Sequence, residues 1–317
     1  MRYITKLSLL AASFATSAYG SLQIIPGATW TATNTGKHVQ AHGGSITKVN
    51  GLYYLIGENK EGGSAFQSIN CYSSPDLVQW TFVNSLLTLQ GSGDLGPSRV
   101  VERPKVIFNS ASNQWVMWMH IDSFNYGEAK VGVATSSSIC GSYNYIRSFR
   151  PLGFESRDMG LFKDTDGTGY LLTEDRANGL RIDKLTSDYL DVASATYNFG
   201  KSADWESPAM VKVNGVYFMF GSHLTGWDTN DNIYSTATNL AGPWSSWKNG
   251  DSSQRFADVT VNGQTQRIAF LPTTDGNTPG SSTLHVNLNS GSSNTVQFVG
   301  VSGGWVSDID RIMVPVS

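Results

Sequence analysis

The chain has 317 residues, enough for a full core and for more than one domain. Its 22 lysines and arginines and 25 aspartates and glutamates leave a net charge of −3, which excludes a nucleic-acid binder, since such binding rests on a basic face. With 33 glycines, 11% aromatic and only 15% charged residues, and no helix-period segment longer than a couple of turns, the pattern is all-β and turn-rich.

Residues 1–20 predict a signal peptide. Arg2 and Lys6 form its basic region, residues 7–14 its apolar core, and Ala18-Tyr19-Gly20 a small-residue cleavage site. The apolar stretch is too short to span a membrane. The expectation is a secreted, extracellular monomer with no membrane partner.

From residue 40 a unit of about fifty residues recurs four times. The first leads from Gln40-Ala41-His42 through Ile46 to the turn Asn50-Gly51, then along residues 53–56 to a polar loop at 57–63. The second leads from Glu102-Arg103-Pro104 through Val106 and Ile107 to a turn at 110–113, the run 115–119 and a loop ending near Glu128. The third has Ser156-Arg157-Asp158, an Asp/Gly turn at 164–167, a run from Tyr170 and the acidic pair Glu174-Asp175. The fourth has Glu206-Ser207-Pro208, the turn Asn214-Gly215, the run 216–220 and a loop at 222–232. A third strand is predicted after each hairpin, at 69–73, 130–134, 179–182 and 232–235.

Short strands at this period predict a β-propeller with three to four strands per blade. The first strand of a blade is innermost, and a hairpin returns to the edge it left. His42, Glu102, Asp158 and Glu206 are therefore expected to converge at one mouth of the channel, walled by the four strand-two loops. A single such carboxylate would be an ordinary solvated turn residue. Three in equivalent places make a site.

Cys71 and Cys140 fall at comparable late positions of units one and two; a bridge and two buried thiols both fit an oxidising compartment. No Cys/His spacing suggests zinc, and there is no Asn-x-Ser/Thr sequon. Asp164-Thr165-Asp166-Gly167 offers oxygen ligands for calcium but lacks the length and terminal glutamate of a calcium loop, so it is expected to be a turn. Past residue 249 the text turns to Gly/Ser/Asn/Thr-rich alternation, with strands expected at 258–261, 266–270, 283–286 and 295–299. A fifth blade of unusual composition and part of a separate β-sandwich both fit; the missing strand-two aromatics favour the sandwich.

Convergent carboxylates beside aromatics (Tyr126, Trp227) and short polar side chains suit sugars. Two carboxyls flanking a glycosidic bond act as acid and base around an oxocarbenium-like transition state. Asp158, ionised beside Arg157, is expected to raise the pKa of a neighbouring carboxyl and keep Glu206 protonated.

The segments at 40–44, 102–109, 156–164, 174–182, 206–210 and 221–227 together resemble glycoside hydrolase family 43 over residues 22–249, and within it the fungal exo-β-1,3-galactanases. The resemblance implies a five-bladed β-propeller and an inverting, exo-acting enzyme that needs no cofactor for catalysis. It would release galactose from β-1,3-galactan, and its partners would be that main chain and the arabinogalactan side chains. Glu206 then corresponds to the general acid, Asp158 to the residue that tunes and orients it, and Glu102 to a substrate-contacting carboxylate also considered as a base. Glu58, Arg103, Tyr126, Asn178, Thr225 and Trp227 fall where substrate contacts would lie.

Most members carry a base aspartate at the start of blade one, where this chain has Gln40-Ala41-His42. Fungal members are thought to position the water with a glutamine in the fifth blade, which this chain is expected to lack. From about residue 254 the text resembles the last part of a family 35 carbohydrate-binding module, with Trp305 and Asp308 as its binding residues and room for a structural calcium. The expected division is thus 1–20 signal peptide, 21–249 four-bladed propeller and 250–317 partial module. Competing expectations are another family 43 activity such as an arabinofuranosidase, a non-catalytic galactan-binding protein, and a mis-joined gene model.

Overall fold

A computed structural model describes residues 30–201, 205–226, 230, 232–249, 255–270, 288–289 and 293–300. The expected signal peptide, Trp227, Trp305, Asp308 and the strand at 283–286 lie outside the described residues.

Each of the four units forms a four-stranded antiparallel meander. Blade one holds β1 (His42–Val49), β2 (Leu52–Glu58), β3 (Ser68–Ser74) and β4 (Thr81–Thr88). Blade two holds β5 (Arg99–Asn109), β6 (Gln114–Ser123), β7 (Lys130–Ser136) and β8 (Asn144–Phe149). Blade three holds β9 (Met159–Lys163), β10 (Gly169–Thr173), β11 (Arg181–Leu185) and β12 (Val192–Asn198). Blade four holds β13 (Trp205–Val213), β14 (Val216–His223), β15 (Asn232–Ala237) and β16 (Lys248–Asn249). Among the described residues there is no α-helix, and the first strands pack side by side in the order β1, β5, β9, β13. This is the all-β, propeller-type architecture expected from the repeat.

The blades cohere because their second strands are apolar on both faces, the pattern of a sheet covered on each side. Along β6, Trp115, Met117, Met119 and Ile121 pack toward blade one, against Ile56, Ile69 and Leu86. The alternate residues Val116 and Trp118 join Met159, Leu171 and Leu185 of blade three. One step along β10, Leu172 turns the other way and packs with Tyr217 and Met219 of blade four. Burying one such side chain contributes about 1.5–3 kcal/mol, so each interface is a core in its own right. Cys71 and Cys140 are bridged across the first interface, which settles the open alternative.

The end blades differ. The outward face of blade one (Leu55, Tyr72, Trp80) is covered by Trp30, Ala32 and Val39. On blade four Val211, Val213 and Phe220 stay exposed.

One expectation shifts. The third strand of unit three begins at Arg181 instead of Gly179, because Gly179 closes the preceding turn at φ 98° and a Cβ there would strike the Gly200 carbonyl. The 164–167 segment is a turn as expected. The Asp164 carboxylate is taken by Lys212 Nζ at 2.7 Å and by the Tyr217 hydroxyl, both on blade four. Beyond blade four, β17 (Arg255–Val261), β18 (Gln264–Phe270) and β19 (Val296–Gly300) form a three-stranded antiparallel sheet in the order β18-β17-β19.

Candidate active site

The site begins with a backbone irregularity repeated in three blades. In the β5–β6 ladder Glu102 opposes His120 and the next pair is Lys105 with Trp118, so Arg103 and Pro104 together face one residue. The β13–β14 ladder does the same between Glu206 and Ala209, and the β1–β2 ladder between His42 and Ser45. The first bulged residue has positive φ each time: Gly43 57°, Arg103 54° and Ser207 54°. For a non-glycine residue this conformation costs roughly 1–2 kcal/mol. The bulge bends the strand and re-aims the residue just before it. Pro104 and Pro208 occupy the unpaired second position, where a missing N–H costs no ladder bond.

A bulge also leaves a backbone donor without its ladder partner. The Arg103 N–H donates to Glu58 Oε1 at 3.1 Å, and the Ser207 N–H to Asp158 Oδ2 at 3.2 Å. In both cases the acceptor is a carboxylate of the preceding blade. Glu58 is buried; its Oε1 also meets His42 Nδ1 at 3.2 Å, and Lys60 Nζ lies 2.8 Å from its Oε2. Lys105 Nζ donates to the Gly43 carbonyl at 2.7 Å, which ties the bulge of blade one to blade two.

Blade three has no bulge here. Asp158 stands one step before the Met159–Thr173 pair and faces Glu174, whose N–H donates to the Asp158 carbonyl at 2.8 Å. The Asp158 carboxylate accepts a two-pronged contact from Arg103, Nε at 2.8 Å and Nη2 at 2.8 Å, and the Ser207 hydroxyl at 2.7 Å. This corrects the expected pairing with Arg157. Successive residues of an extended segment point to opposite sides, and Arg157 turns to Asp122 Oδ2 at 3.3 Å and the Tyr126 carbonyl at 2.9 Å.

Glu102 is held by cations. Lys60 Nζ lies 2.9 Å from Oε1, the Tyr126 hydroxyl donates to the same oxygen at 3.0 Å, and His120 Nδ1 is 3.5 Å from Oε2. Burial pushes this carboxyl up, but His120 and Lys60 outweigh it and bring it down to about 2. His120 is itself buried between Glu102 and Asp122. Burial opposes its charge, yet the two carboxylates raise its pKa above the ordinary histidine value.

Glu206 is the opposite case. Burial raises its pKa first, then the charges of Asp158 and Glu174, against a smaller lowering by Arg103 and Arg176, and the result is about 7. Oxygens of Asp158, Glu174 and Glu206 lie within 4.8 Å of one another. A carboxyl poised near neutrality is suited to give a proton to a leaving group.

The structure thus brings Glu58, Glu102, Arg103, Tyr126, Asp158 and Glu206 into one network with His42. Asn178 lies in the β10–β11 loop with its side-chain N–H on Asp175 Oδ2 at 2.9 Å. Thr225, after β14, accepts from Asn230 Nδ2 at 2.6 Å. Sequence reasoning assigned no part to His120, Asp122, Lys60 or Glu174. Two of these had a positional signal: Glu58, His120, Glu174 and Ser222 are the strand-two residues opposite the four leading residues.

A family model described as glycosyl hydrolases family 43 matches residues 37–275, past the expected boundary at 249 and through β17 and β18. An exo-β-1,3-galactanase structure from Phanerochaete chrysosporium holding galactose is 42% identical, with a TM-score of 0.69, over 72% of this chain and 54% of that one. A variant of the same protein holding β-1,3-galactotriose gives 42% identity, a TM-score of 0.70, and 72% and 54% coverage. An exo-β-1,3-galactanase from Clostridium thermocellum is 32% identical, TM-score 0.69, over 78% of this chain and 57% of its own. The chain therefore spans little more than half the length of these structures. No curated protein sequence matches it.

Proposed function

The chain belongs to glycosyl hydrolase family 43, and on that premise we propose that it releases galactose from the end of β-1,3-galactan, with Glu206 as general acid. The observation that carries this is the Glu206 carboxyl raised to about 7 in a network whose other carboxylates are held by cations and backbone donors. It would be protonated through the acid range and up to neutrality, ready to protonate the glycosidic oxygen.

Asp158 orients that acid by accepting the N–H and hydroxyl of Ser207, the residue next to it. It lies too close to Glu206 to activate a water on the far side of the sugar, because inversion needs about 6.5–9.5 Å between the two groups. Glu102, held at about 2, is a weak base and fits better as an acceptor for sugar hydroxyls, with Tyr126 and Arg103 beside it. The reaction would invert the anomeric carbon, need no cofactor and take place outside the cell, the last resting on the pattern of residues 1–20.

The test is Glu206→Gln assayed on β-1,3-galactobiose and β-1,3-galactotriose. Loss of general acid catalysis lowers turnover by about 10²–10⁴-fold, with binding nearly intact. NMR of the first product should show α-galactose. Retained turnover in the variant, or β-galactose as first product, removes the assignment. One observation favours a second reading, galactan binding without hydrolysis: Asp158 lies close to Glu206, and Glu102 is held at about 2, so neither is suited to activate a water on the far side of the sugar. Galactotriose binding with no galactose release by the unsubstituted protein would select it.

A further inference from the structure

We propose that Glu174 is a positioning residue for Glu206, a second negative charge fixed behind the acid that keeps its proton on at neutral pH. This deepens the proposed function and rests on Glu206 being the acid.

The geometry is specific. Glu174 directly follows β10 and is almost fully buried. Its backbone N–H and C=O continue the ladder, donating to the Asp158 carbonyl at 2.8 Å and accepting from the Arg157 N–H at 3.0 Å. Its side chain folds back on the same strand, where Oε2 accepts the Asp158 N–H at 3.3 Å. The other oxygen accepts from Arg176 Nε at 2.7 Å. The carboxylate is therefore held from both sides, one oxygen by a backbone N–H and the other by a guanidinium.

The groups facing this pair are few. Asp158 precedes β9, Arg103 comes from β5, and Glu174 and Arg176 belong to the β10–β11 loop. Asp175 and Lys201 line a small cleft beside Glu174 together with Arg176, Gly179, Trp205 and Leu224. Arg103 is committed to Asp158 through two nitrogens. Arg176 is about half exposed, at 47%, so water weakens its charge and the repulsion between Glu174 and Glu206 is only partly offset. Burial also raises the Glu174 pKa; the Arg176 hydrogen bond opposes it and the Asp158 charge adds to it.

The experiment uses Glu174→Gln, which keeps the shape and an oxygen to accept the Asp158 N–H but removes the charge. The chain holds seven glutamates, so carboxyl-¹³C-labelled glutamate gives a small set of signals, and Glu206→Gln identifies the one from Glu206. In the parent that signal should titrate near 7; in Glu174→Gln its midpoint should fall by about one unit, the scale of a nearby charge. The alkaline limb of kcat/KM should move down by the same amount, which a merely structural role would not produce. An unmoved midpoint overturns the proposal. If the midpoint falls while the parent releases no galactose, the assignment of Glu174 stands and the hydrolytic reading fails. Should Glu174→Gln not fold, the parent decides: the Glu206 curve must carry a second inflection where Glu174 ionises, and a single-site curve overturns the proposal.

Discussion

Asp122→Asn should destabilise the protein by about 4 kcal/mol, although one atom changes and no cavity opens. The Asp122 side chain is fully buried and its two oxygens take six donors, the longest contact being the Ser123 hydroxyl on Oδ1 at 3.4 Å. Oδ1 accepts the N–H of Ser123 at 2.9 Å and of Glu128 at 2.7 Å. Oδ2 accepts the Ala129 N–H at 3.0 Å, and His120 Nε2 and Arg157 Nη1 lie at 2.9 and 3.3 Å. An amide can keep only one of these sets. Placed with its oxygen at Oδ1, it turns an NH2 toward three donors; flipped, it does so toward two backbone N–H groups. One unsatisfied buried donor costs about 1–3 kcal/mol, and removing one partner of a buried ion pair about 3–5 kcal/mol. The lower ends of these ranges already sum to about 4 kcal/mol. Urea unfolding followed by tryptophan fluorescence measures the difference at neutral pH. Burial disfavours the Asp122 charge, but His120 and the N–H donors hold its carboxyl well below the ordinary aspartate value. Its contribution is thus fully present above the unfolded pKa of about 4 and is lost as pH falls toward the folded value, so the gap between parent and variant should narrow in acid. A neutral-pH loss below about 1 kcal/mol, or a gap that widens in acid, would refute this account.

Two further outcomes follow from the same contacts. Replacing Cys71 and Cys140 by serine opens a link between residues 69 apart in sequence, and should cost about 2–5 kcal/mol, read as a lower urea midpoint under non-reducing conditions. Burial and the neighbouring Arg103 charge push the Lys105 ammonium down to about 8. The unfolded chain holds that proton up to about 10.4, so between pH 8 and 10 it binds more protons than the folded one and stability should rise with pH. Lys105→Met should lack that rise, and parallel curves for the two proteins would count against it.

The repeat was legible because it rests on local chemistry. Asn50-Gly51 and Asn214-Gly215 supply the positive φ of tight hairpin turns, and the runs 115–119 and 216–220 are apolar at every position. The convergence of Glu102, Asp158 and Glu206 followed from topology alone. Less legible was which cation meets which carboxylate. Arg157 stands beside Asp158 in sequence yet points to the other side, while Arg103, 55 residues away, reaches it across a blade boundary. Nor was the main cause of the Glu206 pKa foreseen: burial ranks above the Asp158 charge, and Glu174 adds to it. Burial is a property of neighbouring blades, and no local motif encodes it.

The bulges at Gly43, Arg103 and Ser207 separate where a functional group points from what that group is. Each works as a socket: the backbone of the bulged residue sets the aim, and the residue plugged in ahead of it is His42, Glu102 or Glu206; at Arg103 and Ser207 the preceding blade also supplies the acceptor that holds the bulge. An exchange at a socket alters the reactivity of the mouth without disturbing the cores between blades. Such a scaffold can change chemistry one residue at a time, because the bulge that sets the aim is separate from the residue it aims.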